Sequence, residues 1–308
     1  MKFIYCTDIH YGATPVCRKD DYNEAILNKL RYIINYANNN DIKLIVVGGD
    51  LFDRPHQNYG DLIELISVIR FSGLKWVINR GNPTHDGVVE NSPLTLIGSM
   101  DTNIRTSDNC QSYTTDDVSF IFCPNSVNIE EFEVSSFDKE LDSKKYILTH
   151  HILVKESVPY KHILCDDFAE KLDFDCTVFI ADYHPAQGDF EITNSNGNVI
   201  RFISPGSVCR RKYTKDNIEK EPMFCEIDTE YETYVFVPIP CEKDVWNIPE
   251  DSGDIDATEL DMSRFRDNVE DFQEEMNLES AWHKFVSENE FPSDITDMIY
   301  SYIKKGFK

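Results

Sequence analysis

Short β-branched runs alternate with helical patterns from residue 1 to about 185, and five of the runs are followed at once by Asp, Asn or His. The alternation predicts an α/β sheet with helical crossovers, and such a sheet builds its sites at the carboxyl ends of its strands. Phe3-Ile4-Tyr5-Cys6 leads into Asp8-Ile9-His10, and strand alternation would carry Asp8 and His10 onto one face. A helix follows from about Asp21, with Tyr22, Ala25, Ile26, Leu30, Ile33, Ile34 and Ala37 along one side and Asn38-Asn39-Asn40 ending it. Leu44-Ile45-Val46-Val47 leads into Gly48-Gly49-Asp50-Leu51-Phe52-Asp53. After a second helix marked by Leu62, Leu65, Ile66 and Ile69, Lys75-Trp76-Val77-Ile78 leads into Arg80-Gly81-Asn82-Pro83-Thr84-His85-Asp86. Further strands fall at Val118 to Cys123, Tyr146 to Thr149 and Thr177 to Ile180, with a less regular stretch around 124–145. The last two of these end in His150-His151 and in Ala181-Asp182-Tyr183-His184.

After residue 185 the pattern changes to hairpins. Phe190 to Thr193 and Val199 to Ile203 flank a turn at Asn194-Ser195-Asn196-Gly197, and Met223 to Ile227 pairs with Thr233 to Pro238. Thirty Lys and Arg against 55 Asp and Glu give a net charge of −25, which excludes a protein held on nucleic acid by bulk positive charge. Any nucleic-acid contact must be local. From 241 to 308 there are 18 acidic and 7 basic residues around helical stretches near 258–288 and 293–305. That tail reads equally as a solvated appendage or as a docking element. No apolar run approaches the ~20 residues that cross a bilayer. The N-terminus turns acidic at Asp8 before a signal-peptide core is built, so a cytoplasmic protein is expected.

Carboxylate, amide and imidazole donors without thiolate suit Mn²⁺, Fe²⁺, Zn²⁺ or a mixed pair. Asp50 is placed to bridge two such ions, and two metals ~3.5–4 Å apart stabilise the attacking and leaving oxygens of an in-line phosphoryl displacement. The glycines before Asp50 let the backbone come close. Each fragment alone occurs by chance in many α/β chains, and the ordered recurrence is what is specific. His150 and His151 compete for one ligand role, and His150 is preferred because it directly follows its strand. The nine cysteines contain no Cys-x-x-Cys pair, so they read as reduced structural residues, neither a disulfide framework nor a thiolate zinc site.

These motifs resemble those of the calcineurin-like metallophosphoesterase superfamily, which run Asp-x-His, Gly-Asp, Gly-Asn-His-Asp, a lone His and Gly-His-x-His. The resemblance covers about residues 1–210. Ser204-Pro205-Gly206-Ser207 looks like the turn that follows the last metal motif in the DNA-repair exonuclease branch of the SbcD nuclease subunit type. The fold implied is an α/β two-sheet sandwich flanked by helices, with a small β-hairpin cap and a C-terminal helical tail. Its division would be a core over 1–210, a reduced cap or terminal hairpin over 211–245, and an acidic helical segment over 246–308. Carried over by position, Asp8, His10, Asp50 and His184 would hold a first metal, and Asp50, Asn82, His150 and Asp182 a second. His85 would be the catalytic residue beside the scissile phosphate. Two departures stand out. Pro83-Thr84 is inserted between Asn82 and His85, and Asp182 stands where the family has an imidazole. An altered metal preference follows from that carboxylate, with Mn²⁺ foremost and Mg²⁺, Fe²⁺ or Zn²⁺ also compatible.

The resemblance implies a DNA exonuclease or endonuclease, the nuclease half of a complex with an SbcC-type ABC ATPase that has long coiled coils. Apolar positions Phe265, Val269, Phe272 and Met276, then Ile295, Met298, Ile299 and Tyr302, would let the tail pack on a partner helix. The compact build looks like versions encoded by large bacteriophages, which would place it in the host cytoplasm. A homodimer of the core stays open. Arg201, Arg210, Arg211 and Lys212 form one basic cluster, read either as a DNA-backbone contact or as a solvated strand end. The alternatives are a stand-alone phosphatase or phosphodiesterase on a small nucleotide or phosphoprotein, and an acidic DNA mimic or scaffold with a vestigial site.

Overall fold

A computed structural model describes residues 1–107, 109–115, 118–132 and 143–247. The acidic helical segment expected over 246–308, with the apolar positions proposed for docking, lies outside the described residues from 248 onward.

The elements follow the alternation. β1 (Lys2–Cys6), α1 (Tyr22–Asn39), β2 (Leu44–Val47), α2 (Tyr59–Phe71) and β3 (Lys75–Ile78) come first. Then come α3 (Pro83–Asp86), α4 (Pro93–Met100), β4 (Ile104–Thr106), β5 (Ser112–Thr115), β6 (Val118–Cys123) and β7 (Lys144–Thr149). The remainder is β8 (Leu153–Val154), β9 (Ile163–Leu164), α5 (Cys165–Ala169), β10 (Cys176–Ile180), β11 (Gly188–Thr193), β12 (Val199–Ser204), α6 (Lys215–Glu219), β13 (Met223–Asp228) and β14 (Thr233–Pro238). α1 begins where Asp21 accepts a hydrogen bond from the Glu24 N–H and ends at Asn40, as the sequence predicts.

Two six-stranded sheets face each other, in the orders β14-β13-β1-β2-β3-β4 and β11-β12-β10-β7-β6-β5. Strand alternation divides the side chains between two layers. From β1, Phe3 and Tyr5 enter the layer between the sheets, where they meet Phe120, Tyr146 and Phe179. Ile4 and Cys6 point the other way, into the layer under α1 and α2 with Ile26, Leu30 and Leu65. Burial on both faces explains why these strands read as continuous apolar runs. Phe3 meets Phe120 and Tyr146 edge to face, each at 5.3 Å between centroids, and Tyr5 stacks on Phe179 at 4.4 Å. A third layer on the outer face of the second sheet packs Ile147, Val178 and Phe202 against Phe168 of α5.

The hairpins after residue 185 are sheet edges. β11 pairs antiparallel with β12, which lies parallel to β10, and β13 joins β1 with Phe3 opposite Ile227. One buried amide ties the carboxyl ends of the two sheets together. Asn79 Nδ2 donates to Gly48 O at 3.2 Å and to Leu148 O at 3.1 Å. All nine cysteines are free thiols. No helix among the described residues is long and apolar enough to cross a membrane.

Candidate metal centre

The first loop of the site is not a strand continuation, which corrects the alternation argument for Asp8 and His10. β1 stops at Cys6, and both Asp8 (φ 53°) and His10 (φ 51°) take the left-handed conformation that non-glycine residues avoid. Asp50 (φ 49°) and Asp182 (φ 68°) do the same. Such residues persist only where surrounding structure fixes them, and they gather at functional sites. Here the fixing bonds are visible. Asp8 N donates to Gly49 O at 3.1 Å, and Ile9 N and His10 N both donate to Asp50 O at 3.0 and 2.9 Å. Gly49 (φ +134°) is required twice over, since a Cβ there would lie 2.2 Å from His150 Nδ1.

Asp50 stands at the centre, with its two oxygens facing different imidazoles. Oδ1 lies 3.2 Å from His150 Nε2, while Oδ2 lies 3.6 Å from His10 Nε2 and 3.9 Å from His85 Nε2. Asp8 Oδ1 is 3.8 Å from His184 Nε2, and Asp182 Oδ1 is 4.0 Å from His150 Nε2. His10 Nε2 and His184 Nε2 approach to 3.2 Å. Ligand-bearing atoms of Asp8, Asp50 and His150 thus converge within 4.8 Å of one another, and so do those of His10, Asp50 and His85. The far nitrogens are anchored in the way that orients metal-binding imidazoles. His85 Nδ1 pairs with Asp53 O at 2.7 Å, His150 Nδ1 with Gly48 O at 3.3 Å, and His10 Nδ1 lies 3.4 Å from Asp53 Oδ1.

The inserted Pro83-Thr84 has a specific outcome. It forms the one-turn α3 with Asn82 as its cap, and Asn82 Oδ1 accepts from both Thr84 N and Thr84 Oγ1 at 2.9 Å. The side-chain oxygen that the resemblance assigns to the second metal accepts these turn hydrogen bonds, and the Asn82 N–H donates to Asp50 Oδ1 at 2.8 Å. His85 still arrives, its ring edge-on to His10 at 4.7 Å. Asp86 holds the loop by accepting from Phe52 N at 3.0 Å and Gly81 N at 2.8 Å. His150 faces Asp50, whereas His151 lies against the backbone of Pro124 and Val127.

Electrostatics show what the arrangement wants. Burial, reinforced by the neighbouring Asp50, pushes the Asp8 carboxyl up to about 6 and the Asp182 carboxyl up to about 7. Burial acts on Asp50 too, yet His150 and His85 hold it well below the usual carboxylate range. Burial and Arg211 bring His10 down to about 3, and burial with His10 holds His184 down, so these two imidazoles are neutral. Uncharged imidazoles beside crowded carboxylates are what a cation uses as ligands and whose repulsion it relieves. The buried His150 Nε2 has no hydrogen bond despite its closeness to Asp50 Oδ1. Although burial opposes it, Asp50 with Asp182 and Asp8 raises the His150 imidazole well above its ordinary value, so without an ion His150 and Asp50 form a charge pair, and a cation would take the place of that proton.

The four residues of the basic cluster have different surroundings, and Arg210 is not on the surface. Arg210 is 2% exposed and donates to the carbonyls of Asn217, Ile218 and Glu242. A buried guanidinium stapling three carbonyls cannot line a DNA track. Arg201 is paired with Asp189 and Glu191 on the neighbouring strand. Arg211 is bonded to Asp53 beside His10, and Lys212 lies near enough to His184 to act on its charge. Sequence reasoning missed Asp53, which serves His10 with its carboxylate and His85 with its carbonyl; its place three residues after Asp50 was the available signal. It missed Cys209 as well, whose sulfur comes within 4.8 Å of ligand atoms of His10 and His184.

Residues 1–186 match the family model for calcineurin-like phosphoesterases. Among solved structures the chain is similar to TT1561 of Thermus thermophilus, at 10% identity and a TM-score of 0.50 over 78% of this chain and 99% of that one. It is also similar to Haemophilus influenzae NAD nucleotidase (NadN), at 12% identity and TM-score 0.47 over 94% of this chain and 60% of that one. A dimetal phosphatase from Danio rerio aligns at 11% identity and TM-score 0.47 over 73% of this chain and 92% of that one. No curated protein matches the sequence. At these identities the structural likeness is one of fold, and the family rests on the sequence match together with the loops just described. The chain belongs to the calcineurin-like phosphoesterase family.

Proposed function

We propose that this metal-dependent phosphoesterase cuts phosphodiester bonds in DNA, as the nuclease half of a complex with an SbcC-type coiled-coil ATPase. Asp8, His10, Asp50 and His184 would hold one divalent ion, and Asp50, His150 and Asp182 the other. Bound there, the ions supply the charge that polarises a phosphoryl oxygen and makes water nucleophilic at neutral pH. The chain's own residues do the rest. Asp53 O holds His85 Nδ1, which leaves Nε2 aimed at the Asp50 side of the centre to donate a proton to the leaving oxygen. Asp8 accepts from the Asp182 N–H at 3.2 Å, which fixes the two carboxylates against each other before substrate arrives.

The observation that favours this branch is the Ser204-Pro205-Gly206-Ser207 turn, whose Ser207 N donates to His184 O at 3.0 Å. That is the turn by which the sequence resembles the SbcD type. The consumption of Arg201, Arg210 and Arg211 in internal contacts favours the second reading, a phosphatase or phosphodiesterase on a small nucleotide, unless the ATPase brings the positive track. Hydrolysis of linear double- and single-stranded DNA decides between them, measured with Mn²⁺ or Zn²⁺, with and without an SbcC-type ATPase, and with Asp50→Asn as control. Cleavage lost in the variant supports the nuclease. Turnover of nucleotides or bis(p-nitrophenyl) phosphate with intact DNA under every condition supports the second reading.

A further inference from the structure

Cys209 is, among the described residues, the one sulfur within reach of the metal-bearing imidazoles. Its placement is determined by the turn after β12. Gly206 (φ +73°) passes so close to the end of the β10 loop that a Cβ would lie 2.6 Å from His184 O. Beyond it the backbone is stitched to two site loops. Ser207 N donates to His184 O at 3.0 Å, Val208 N to Thr7 O at 3.0 Å, and Cys209 N to Asp8 O at 3.2 Å. Two lysines, Lys29 buried and Lys220 half-buried, clamp the same three residues. Lys29 Nζ donates to Val208 O at 2.7 Å, and Lys220 Nζ donates to Ser207 Oγ, to His184 O at 3.2 Å and to Cys209 O at 3.5 Å.

The strand cysteines show what an ordinary buried thiol looks like here. Cys6, Cys123 and Cys225 lie within strands, inside apolar layers. Cys209 also has one side against the apolar layer under α1, but its Sγ shares a space of 4.8 Å with a ring nitrogen of His10 and one of His184. Among the described residues its thiol makes one hydrogen bond, a long one to Ser207 Oγ at 3.7 Å. His10 is fully buried, its Nδ1 faces Asp53 Oδ1 at 3.4 Å, and its Nε2 converges on His184 Nε2 at 3.2 Å. Two imidazole nitrogens converging with a sulfur whose hydrogen bond is long make a donor set that a cation fits.

We infer that Cys209 supplies a thiolate ligand to the ion held by His10 and His184. The inference rests on the dimetal reading of the centre and adds to it a ligand from a fifth loop. Ion binding forms the metal–sulfur bond and releases the thiol proton to solvent. A sulfur added to the two imidazoles and to Asp8 and Asp50 shifts that half-site toward Zn²⁺, Fe²⁺ or Co²⁺ relative to Mn²⁺ and Mg²⁺, while the half-site of Asp50, His150 and Asp182 has no sulfur.

Co²⁺ titration of the metal-free full-length chain under anaerobic conditions tests this by absorption spectroscopy. A sulfur-to-cobalt charge-transfer band in the near ultraviolet is expected for wild type and for the control Cys110→Ser. It is expected to vanish in Cys209→Ser, with the visible ligand-field bands retained. Ligand-field bands without charge transfer in wild type, or a charge-transfer band that survives in Cys209→Ser, overturn the assignment and leave the metal centre standing. No cobalt uptake at all overturns the metal centre itself. X-ray absorption of the Zn²⁺-loaded wild type needs no variant to fold. It should show a zinc–sulfur shell at about 2.3 Å beside nitrogen and oxygen at about 2.0–2.1 Å, and a purely nitrogen–oxygen shell contradicts the assignment.

Discussion

Asp50 joins the two halves of the centre because its oxygens face separate sets of imidazoles, and the residues around it differ in what they cost to lose. His85 has its Nδ1 tied to the Asp53 carbonyl and its Nε2 near Asp50 Oδ2, so removing it leaves the ligand set of both ions intact. His85→Ala is expected to lower kcat by about 10²–10⁴-fold with metal content unchanged, measured on whichever phosphodiester the enzyme turns over. An equal loss of bound metal would make His85 a ligand instead. Lys29 gives a prediction of a different kind. Burial lowers its ammonium from 10.5 to about 8, so between these values the unfolded chain binds a proton that the folded chain does not. Folding stability contributed by Lys29 therefore rises with pH across that window, by up to about 3 kcal/mol. Lys29→Met removes the effect and orphans Val208 O at every pH. Chemical denaturation of both proteins from pH 7 to 10 should show the difference moving in the wild type's favour, and parallel curves would contradict it.

At the scale of elements, the strands were legible because burial on both faces leaves uninterrupted apolar runs, and α1 because its cap and its apolar stripe agree. Phe3 is the sharpest case. It is fully buried and makes three edge-on aromatic contacts, with Phe120, Tyr146 and Phe179. Phe3→Ala should cost about 3–5 kcal/mol in a thermal or denaturant melt, and a loss under about 1 kcal/mol would mean that the sheets do not pack through this layer. β4 and β5 escaped notice because they are edge strands of three and four residues, half exposed and poor in apolar residues. The site loops were legible as residue types and illegible as geometry. Alternation placed Asp8 and His10 together for the wrong reason, since left-handed backbone held by Asp50 O brings them in, and no periodicity announces that. The fate of Asn82 was equally hidden. An N-cap forms only once the inserted Pro83 starts a turn, and that turn competes for the same oxygen. The nearness of Cys209 to His10 and His184 was hidden as well, because cysteine spacing along the chain says nothing about a sulfur brought to two histidines by a turn elsewhere.

For the whole molecule, the net charge of −25 and the centre pull in opposite directions. Divalent ions reduce the repulsion among Asp8, Asp50 and Asp182, so metal binding should stabilise the fold as well as enable chemistry. Chelation is accordingly expected to lower the melting temperature and Mn²⁺ or Zn²⁺ to restore it, whereas Asp50→Asn should melt at nearly the same temperature with and without chelator. That acidity disfavours approach of the chain to a polyanion, and an ATPase with a positive surface would resolve the conflict within the proposed complex. The central claim remains the bridged pair of ions. Anomalous diffraction from crystals of the full chain grown separately with Mn²⁺ and with Zn²⁺ tests it most directly. The account predicts two peaks about 3.5–4 Å apart on either side of the Asp50 carboxylate, one toward His10 and His184 and the other toward His150 and Asp182. A single peak, or peaks away from Asp50, would contradict it.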